Sequence, residues 1–427
     1  MEAVQFMKAF TVAVGAVVTL LYLYQFGYMI VGLFRRKPRA DAVPQVLRKY
    51  AAVISARNEE AVIGELIGSL KKQKYPAALL DIYVIADNCT DDTAAVAARA
   101  GARVLRRFDK RRVGKGYALD FFFHCLMDWD LDGQYAGYMI FDADNLVDKN
   151  FVYEMNRCFN SGDFDAVTSY RNSKNFGSNW ISAGYSIWFL REARFLNGPR
   201  MALGTNCTVS GTGFLVSEAA IRRNDGWPFH LLTEDVEFSV NATVAGFRIG
   251  YCASAVIYDE QPTGFRQAWD QRLRWSKGFY QVDGRYAGAM LKNIVKGGRK
   301  GFSCYDILMT VTPGVLLTGG VLAINLLLCL ACITQPAYIA HQVLLVAGAG
   351  IGGLFGGFYQ SMLLCGAVTV LCEWKNIRAS AWQKLGYLVV FPLFMLTYLP
   401  ISVVALFRKV EWTPILHKSK ARLNSAA

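Results

Sequence analysis

The stretch YMIFDADN, residues 138–145, is an apolar run that ends in two aspartates separated by one alanine. It is one of four runs predicted as strands, which are Ala51–Ser55, Tyr83–Ala86, Arg103–Leu105 and Tyr138–Phe141. Stretches predicted as helices lie between these runs, at 60–70, 92–99 and 117–127. Such alternation predicts an α/β domain over residues 50–260, with a parallel sheet covered by helices on both faces. Ligands bind such a sheet at the carboxyl ends of its strands, where Asp87, Asp142 and Asp144 lie.

Outside that domain the chain is strongly apolar. Of its 427 residues, 53% are hydrophobic and only 19% are charged, and the mean hydropathy is +0.23. Soluble domains carry about 25% charged residues, so the composition excludes a disordered chain, a fibrous protein and a simple soluble enzyme. Apolar runs of the length that crosses a bilayer cover residues 9–34, 307–334, 337–372 and 386–407. The third is either one long tilted helix or a hairpin, so we expect four or five spans.

The net charge of +13 would suit a nucleic acid, a membrane surface or an anionic substrate. Much of the excess flanks the apolar runs, in the clusters Arg35–Arg39, Lys292–Lys300 and Arg408–Lys409. This placement is typical of the cytosolic face of a membrane, so we expect no nucleic-acid partner. None of the ten cysteines has metal-ligand spacing outside an apolar run, which favours reduced thiols.

Four clusters of polar residues punctuate the α/β domain. They are Ser55-Ala56-Arg57-Asn58-Glu59-Glu60, Asp87-Asn88-Cys89-Thr90-Asp91-Asp92, Gly114-Lys115-Gly116-Tyr117-Ala118-Leu119 and Phe141-Asp142-Ala143-Asp144-Asn145. By itself the second cluster favours a helix N-cap followed by acidic residues in the first turn. Lys115 is either a solvated helix start or, with free backbone N–H groups, part of a diphosphate site. Asp142 and Asp144 form either a solvated turn or a site for Mg²⁺, which takes one or two carboxylates plus phosphate oxygens.

Two further motifs follow, Thr233-Glu234-Asp235 and Gln271-Arg272-Leu273-Arg274-Trp275. Alone, the first is typical of a capped helix N-terminus with Thr233 as the N-cap, and the second of an amphipathic helix edge. Together with Asp87 and Asp142-Ala143-Asp144 they give the order D…DxD…TED…Q(Q/R)xRW. In this order the chain resembles the processive family 2 glycosyltransferases, which include cellulose, hyaluronan and chitin synthases. The resemblance covers residues 50–275 and is specific for the catalytic class rather than for the sugar.

The resemblance implies an α/β GT-A (Rossmann-like) cytosolic domain plus an α-helical transmembrane bundle, with Mg²⁺ or Mn²⁺ as cofactor. Asp144 would ligate the metal, and Asp235 would be the general base that deprotonates the acceptor hydroxyl. Nucleotide-sugar contacts are implied for Ala56, Arg57, Glu59, Asp87, Lys115, Asp142, Gln271 and Arg274. Acceptor contacts are implied for Gly211, Thr212, Glu234 and Trp275.

The function implied is that of a membrane-embedded inverting enzyme, which elongates and extrudes a β-linked polysaccharide from a UDP-sugar. The alternative is a non-processive enzyme that transfers one sugar to a lipid, as ceramide glucosyltransferases do. The expected partners are the UDP-sugar, the growing polysaccharide and the lipid bilayer, and a homo-oligomer or an export partner stays open. The expected location is the plasma membrane, with several spans and the catalytic domain in the cytosol.

The motifs and the apolar runs together divide the chain into five segments. These are an N-terminal transmembrane helix (1–40), a cytosolic glycosyltransferase domain (41–275), amphipathic interface helices (276–306), a membrane region of three or four spans (307–410) and a cytosolic tail (411–427). The tail resembles the tryptophan-containing C-terminal segment of hyaluronan synthases, which makes it a candidate gate over the nucleotide.

Overall fold

A computed structural model describes residues 2–34, 46–129, 133–312 and 315–411. Its centre is an eight-stranded sheet. The strands are β1 Tyr50–Ala56, β2 Leu80–Asp87, β3 Arg103–Arg107, β4 Gly137–Asp142, β5 Leu146–Val147, β6 Ala166–Ser173, β7 Phe214–Ser217 and β8 Ile249–Asp259. All four strands that the sequence predicts therefore form, and each extends beyond its predicted bounds.

The strand order is β3-β2-β1-β4-β7-β6-β8-β5. The first four strands are parallel, as expected, but β7 is antiparallel to both β4 and β6, and β5 is antiparallel to β8. The prediction of a wholly parallel sheet is therefore wrong for this half. The reason lies in the loop that ends at Gly213. This loop already lies at the carboxyl edge of β4, where the Gly213 N–H donates to Ile140 O, so β7 must run away from that edge.

Helices cover both faces of the sheet, as predicted. In chain order the helices up to the end of the sheet are α1 Glu2–Tyr22, α2 Tyr24–Phe34, α3 Ile63–Lys71, α4 Thr93–Ala100, α5 Lys115–Asp128, α6 Phe151–Asn160, α7 Trp180–Arg191, α8 Gly198–Leu203, α9 Glu218–Arg223 and α10 Glu234–Ala245. In β1, Ala51 and Val53 face the core that includes α5, while Ala52 and Ile54 face the core that includes α3 and α6. All four side chains are fully buried, which explains the continuous apolar run.

The C-terminal part of the chain is helical. Its helices are α11 Phe265–Lys296, α12 Gly298–Val311, α13 Val315–Ala331, α14 Ala337–Cys372, α15 Ala381–Leu396 and α16 Tyr398–Phe407. The third predicted span is one continuous helix of 36 residues and not a hairpin. The predicted span 307–334 is divided between α12 and α13. α11 continues through the predicted domain boundary at residue 275, so the interface helices begin inside the catalytic domain.

Among the described residues, three helical segments are long and apolar enough to cross a membrane, against the four or five expected. They are Val4–Phe34, Ala337–Cys372 and Ala381–Phe407, and Gly319–Ala331 is a shorter apolar helix. The basic cluster Arg35–Arg39 and tail residues 412–427 lie outside the described residues.

A buried ion pair joins the N-terminal helices to the α/β domain. Arg200 on α8 and Asp306 on α12 are fully buried, with Arg200 Nε 2.7 Å from Asp306 Oδ2 and Nη2 2.8 Å from Oδ1. Tyr28 and Tyr24 on α2 donate their hydroxyl protons to the same carboxylate at 2.8 Å and 3.0 Å. Asp306 therefore fixes α2 against two helices of the domain.

Replacing Arg200 by methionine should destabilise the protein strongly, because the buried Asp306 carboxylate would lose its cation. We expect Arg200→Met to lower the free energy of unfolding by about 3–5 kcal/mol, measured by thermal unfolding in detergent. The control is Arg222→Met, which breaks an exposed pair with Glu218 at 2.8 Å and should cost at most about 1 kcal/mol. Equal melting-temperature shifts in the two variants would contradict a structural role for the buried pair.

Candidate active site

The carboxyl ends of β1, β2 and β4 meet at one edge of the sheet. β1 lies between the other two, with Ala56 opposite the residue that precedes Asp87 and Ser55 opposite Asp142. Asp87 and Asp142 therefore flank the end of β1 from opposite sides, and the loop 57–59 leaves between them. The edge combines residues that lie far apart in the sequence, as expected for the ligand-binding edge of an α/β sheet.

Asp87 is held by Arg107 and Asn88. Its side chain is buried, and Oδ1 accepts hydrogen bonds from Arg107 Nη1 at 2.6 Å and from Asn88 Nδ2 at 3.0 Å. Burial raises the pKa of Asp87, whereas Arg107 and the nearby Arg57 oppose that rise. Arg107 was not predicted from the sequence, although its position at the end of β3, next to β2, places it at the same edge.

The helix-cap interpretation of the second cluster holds only in part, because Asp92 at the N-cap position of α4 makes no capping side-chain bond. Asp91 Oδ1 accepts the backbone N–H of Thr93 at 3.0 Å at the start of α4. Thr93 Oγ1 in turn accepts the N–H of Glu59 at 2.8 Å. These hydrogen bonds tie the loop after β1 to α4. Asp87 takes no part in them and remains a candidate site residue.

Lys115 joins two segments of the site. Its Nζ donates to Asp142 Oδ1 at 2.5 Å and to Gly211 O at 2.5 Å, and its side chain is only 12% exposed. Burial acts to lower the pKa of Lys115, but the carboxylates of Asp142, Glu234 and Asp235 raise it above its ordinary value. The interpretation as a solvated helix start is therefore wrong, because the ammonium group is a buried cation among carboxylates.

The aspartates of the DxD motif have different surroundings. The Asp142 side chain is 41% exposed, whereas Asp144 is buried and its Oδ2 accepts the backbone N–H of Glu260 at 3.1 Å. Lys174 Nζ donates to the carbonyl oxygen of Asp144. The turn at Asp142–Asn145 is thus held in place by one residue that follows β8 and by one residue that follows β6.

The donor set of this turn fits a hard divalent cation. The carboxylates of Asp142 and Asp144 are oxygen ligands of the kind that Mg²⁺ and Mn²⁺ take. Within the described ranges, no three His, Cys, Asp or Glu side chains are grouped closely enough to hold a metal ion. The protein would therefore supply only part of the coordination and leave positions for phosphate oxygens and water, as is usual for Mg²⁺.

Gly211 and Thr212, both expected to contact the acceptor, lie in different surroundings. Thr212 is buried, and its hydroxyl accepts the N–H of Asp142 at 2.9 Å, so its side chain shapes the DxD turn. Gly211 has a φ of +77°, and a Cβ there would lie 3.4 Å from Asp235 Oδ2. The glycine therefore lies directly against the predicted base.

Glu234 and Asp235 begin α10. Thr233 occupies the N-cap position but makes no capping side-chain hydrogen bond, so the capping role expected for its hydroxyl is wrong. It packs instead against Gly278 of α11, where a Cβ would lie 2.5 Å from Thr233 Oγ1. Burial and mutual repulsion raise the pKa of Glu234 to about 8, and burial also raises the pKa of Asp235, while Lys115 opposes both shifts.

The motif Gln271–Trp275 lies on α11, where Arg272 is fully buried. Arg272 Nη1 donates to Thr397 Oγ1 at 2.5 Å and to Phe394 O at 3.2 Å, and its guanidinium stacks on the Phe394 ring at 4.4 Å. The interpretation of this motif as an amphipathic helix edge is therefore wrong for Arg272, which joins the site helix to the α15–α16 junction. The buried Gln271 Oε1 has no hydrogen-bond partner in the described structure.

Arg274 lies against the carboxylates of the site. Burial lowers the pKa of Arg274, and the charges of Glu234, Asp142 and Asp235 oppose that shift. The guanidinium is therefore close to both the DxD turn and the start of α10. Asp142, Glu234 and Asp235 thus share two cations, Lys115 and Arg274.

Trp275 belongs to an aromatic wall, by which we mean Trp275 together with Tyr185 and Phe189 of α7. The indole meets the Tyr185 ring edge-on at 5.7 Å and the Phe189 ring at 6.2 Å. Arg171 stacks on the ring of Phe189, and its guanidinium carbon lies 3.7 Å from the ring centroid. The aromatic wall is thus fixed both by α7 and by the end of β6.

Arg171 and Asp259 were missed by the sequence analysis. Arg171 Nε lies 2.6 Å from Asp259 Oδ2, and Nη1 donates to Ser210 O at 2.9 Å. Burial raises the pKa of Asp259, Arg171 opposes the rise, and the charge of Asp144 adds to it. The available signal was position, because both residues lie at the carboxyl ends of the parallel strands β6 and β8.

A comparison with protein-family models identifies the family. The model of Glycosyltransferase like family 2 matches residues 47–278, which is more than half of the chain. The chain belongs to glycosyltransferase family 2. The protein is therefore an enzyme, and membership of glycosyltransferase family 2, which its motifs indicate, is confirmed.

The curated relatives of this family 2 enzyme have more than one kind of product. It is 27% identical to the beta-monoglucosyldiacylglycerol synthase of Synechocystis, over 54% of this chain and 47% of the relative. It is 24% identical to the probable glycosyltransferase YdaM of Bacillus subtilis, over 72% and 73%. It is 22% identical to the poly-beta-1,6-N-acetyl-D-glucosamine synthase of Staphylococcus epidermidis, over 58% and 59%. The match thus spans about half of the length of the first of these relatives.

A solved structure confirms the fold. The mannosyltransferase PcManGT from Pyrobaculum calidifontis, in complex with GDP-Man and Mn²⁺, has a TM-score of 0.57 and 17% identity, over 87% of this chain and 98% of that one. The predicted GT-A domain followed by apolar helices is therefore correct.

The raised pKa of Glu234 predicts a pH dependence of stability. The folded state holds the Glu234 proton more tightly than the unfolded state does, because folding raises the pKa from the ordinary value of 4.5 to about 8. This difference stabilises the folded state fully below pH 4.5, and the stabilisation is lost as the pH rises through about 8. We expect Glu234→Gln to melt with a weaker pH dependence than the wild type between about pH 5 and pH 8. The measurement is thermal unfolding without nucleotide. Glu60→Gln, at an exposed position, is the control, and an unchanged slope for Glu234→Gln would contradict the shift.

Proposed function

We propose that this glycosyltransferase is an inverting enzyme that uses a UDP-sugar and a divalent cation to elongate, and extrude, a β-linked polysaccharide. The observation that carries the proposal is the convergence of Asp235, Arg274 and Trp275 on the side of the site where α7 and α11 pack against the C-terminal apolar helices. A base, a cation for the leaving group and an aromatic surface for a sugar are the groups that this reaction requires.

The donor would bind along the carboxyl edge of the parallel strands. Asp87 would contact the uridine, and Lys115, at the start of α5, would contact the diphosphate, since a helix N-terminus favours phosphate. The loop 56–59 and Gln271 would add further donor contacts. Asp144 would ligate Mg²⁺ or Mn²⁺ while Asp142 faces the nucleotide sugar. A divalent cation bound there would neutralise charge on the departing diphosphate.

Asp235 would act as the base. Its carboxylate would take the proton of the acceptor hydroxyl as that oxygen attacks the anomeric carbon. The bond from the anomeric carbon to the diphosphate oxygen breaks as the new bond forms, so UDP leaves and an α-linked donor gives a β-glycoside. Arg274 would stabilise the negative charge that develops on the diphosphate. The raised pKa of Asp235 suits this role because it makes the carboxylate a better proton acceptor at neutral pH.

The aromatic wall supports a sugar acceptor. The indole of Trp275, on the helix that also carries Arg274, would offer apolar contact to the C–H bonds of a pyranose without fixing its hydroxyl groups. Such contact binds a sugar chain and still lets the chain move by one unit after each transfer. The similarity to poly-beta-1,6-N-acetyl-D-glucosamine synthases supports the same choice. Gly211, against the base, would border the acceptor hydroxyl, with Glu234 beside it.

The proposed location is the plasma membrane, with the catalytic domain in the cytosol. The apolar helices that could cross a bilayer and the basic clusters beside them support this placement. A cytosolic site would draw on nucleotide sugars in that compartment.

A second candidate function is transfer of one sugar to a lipid, and a groove beside the site favours it. The groove, of about 720 Å³, lies between α7 and α15 and is lined almost entirely by apolar side chains, among them Trp180, Trp382 and Tyr387. A hydrocarbon chain would fit such a lining. The similarity to beta-monoglucosyldiacylglycerol synthases supports this candidate.

The deciding experiment is incorporation from a panel of radiolabelled UDP-sugars, singly and in pairs, by the purified full-length protein with Mg²⁺ or Mn²⁺. We expect label in a high-mass product that a glycanase degrades, and loss of transfer with a chelator. Asp235→Asn is the control protein, which should bind UDP and transfer nothing. Label only in an organic-extractable, single-sugar product would overturn the polysaccharide proposal in favour of the lipid candidate.

Trp275→Ala should shorten the polymer more than it slows the first transfer. Loss of an aromatic contact worth about 1 kcal/mol should increase acceptor dissociation about five-fold, and the mean chain length should fall accordingly on a sizing gel. Trp129→Ala removes a half-exposed indole at the end of α5 and should leave the length unchanged. A product of unchanged length from Trp275→Ala would refute the role of the aromatic wall in holding the chain.

A further inference from the structure

The apolar segment Ala381–Phe407, formed by α15 and α16, contacts the catalytic domain at both of its ends. Near the start, Gln383 Nε2 donates to Gly177 O at 3.0 Å. Near the end, Lys277 Nζ donates to Ala405 O at 3.1 Å. A charged ammonium from the site helix α11 thus reaches the last turn of the segment.

Contacts continue between these two ends. Arg272 bonds the junction of the two helices at Thr397, and Tyr280 donates its hydroxyl proton to Ser402 O at 3.0 Å. Phe394 packs against the Tyr185 ring at 5.1 Å. No stretch of the segment as long as a membrane crossing is therefore free of the catalytic domain.

The partner helix α11 cannot lie in hydrocarbon. Between residues 266 and 285 it carries Arg266, Asp270, Arg272, Arg274, Lys277, Asp283 and Arg285. Each such side chain costs about 2.5–3.5 kcal/mol at the centre of a bilayer, and Arg274 lies in the active site. Because α16 packs along α11, it lies at the same level as the site.

A spanning helix needs about 20 residues in hydrocarbon, so a domain outside the bilayer touches only its end. Of the three candidate spans, Ala381–Phe407 is also the most enclosed by protein. In its most apolar window 39% of the residues are buried, against 11% for Ala337–Cys372 and none for Val4–Phe34. This share of buried residues is expected for a segment that lies along the surface of a domain over most of its length.

The outward face of α15 is apolar. Trp382, Leu385, Val389 and Leu393 are 84%, 45%, 54% and 50% exposed, and their spacing of three or four residues places them on one side of the helix. This face is continuous with α14, because Tyr359 donates its hydroxyl proton to Val389 O at 2.9 Å. An apolar face beside a membrane helix, on a segment that a domain covers from the other side, fits the boundary between lipid headgroups and acyl chains.

We propose that α15 and α16 lie in the plane of the membrane surface, between the catalytic domain and the lipid, and do not cross the bilayer. The occupant of their outward face is the lipid of the leaflet next to the catalytic domain. The C-terminus then stays on the side of the catalytic domain. The proposal does not depend on which sugar or acceptor the enzyme uses.

The crossing segments are then Val4–Phe34, α14 and the shorter apolar helix α13, whose 17 residues lie at the lower end of the length range that crosses a bilayer. The turn between α13 and α14 lies at the end remote from the domain, where Cys332 and Val343 pack with Val4. α14 returns to the domain, where Glu373 accepts the hydroxyl proton of Tyr170 on β6 at 2.6 Å. An odd number of crossings places the N-terminus and the C-terminus on opposite sides.

Topology reporters in the full-length chain test this arrangement. Alkaline phosphatase, active only outside the cytosol, and green fluorescent protein, fluorescent only inside it, are inserted after Ala40, after Gln335 and after Ala427. We expect the positions after Ala40 and Ala427 to agree and the position after Gln335 to be opposite. Agreement of the Ala427 position with Gln335 would overturn the proposal, because the segment would then cross. Agreement of all three positions would overturn the crossing of α13 and α14.

A charge scan provides a second measurement with a matched control. Val389→Lys places an ammonium on the outward face of α15, where in the headgroup region it reaches water, so the yield of folded protein should stay within about two-fold of the wild type. Phe355→Lys, at a partly exposed position in the middle of α14, should reduce that yield at least ten-fold, about 1.4 kcal/mol, because the charge would lie in hydrocarbon. An equal loss for the two variants would contradict an in-plane α15.

Discussion

The repulsion among three carboxylates is the constraint on which the site depends. Asp142, Glu234 and Asp235 come from two separate segments of the chain, and they interact where burial removes part of their contact with water. Like charges at such a place are held only if cations lie between them. Lys115 provides one cation and Arg274 provides the other, so α5 and α11 must dock against β4 and α10 for the site to form.

The same constraint links the active site to the apolar helices. α11 carries Arg274 into the site and Arg272, two residues earlier, into the junction of α15 and α16. A single helix thus faces the carboxylates on one side and the apolar helices on the other. The position of the catalytic domain relative to α15 and α16 is therefore set by the helix that completes the active site. The pair Arg200–Asp306 provides a second anchor, through α2.

The parts of the fold that the sequence predicts are those with local signals. β1, β2 and β4 are continuous apolar runs followed by polar clusters, and Asp87, Lys115 and Asp142 follow a strand or open a helix. The antiparallel β7 has no local signal, because its direction is decided by where the preceding loop lies. Arg107 and Arg171 were missed for a related reason, since an arginine in a strand acquires its partner from another strand. Hydropathy also does not distinguish the more enclosed segment Ala381–Phe407 from the less enclosed helix α14, since both are strongly apolar.

The contact between Thr233 and Gly278 has a consequence for how the enzyme can diversify. Because Gly278 has no side chain, α11 can approach the start of α10 until its backbone meets the side chain of Thr233. This contact sets the distance between the helix that begins with Glu234 and Asp235 and the helix that carries Trp275. The distance between α10 and α11 is therefore a fixed dimension of the site. A different acceptor would then have to be accommodated by the side chains that line the space between the two helices, because the distance between the helices cannot change.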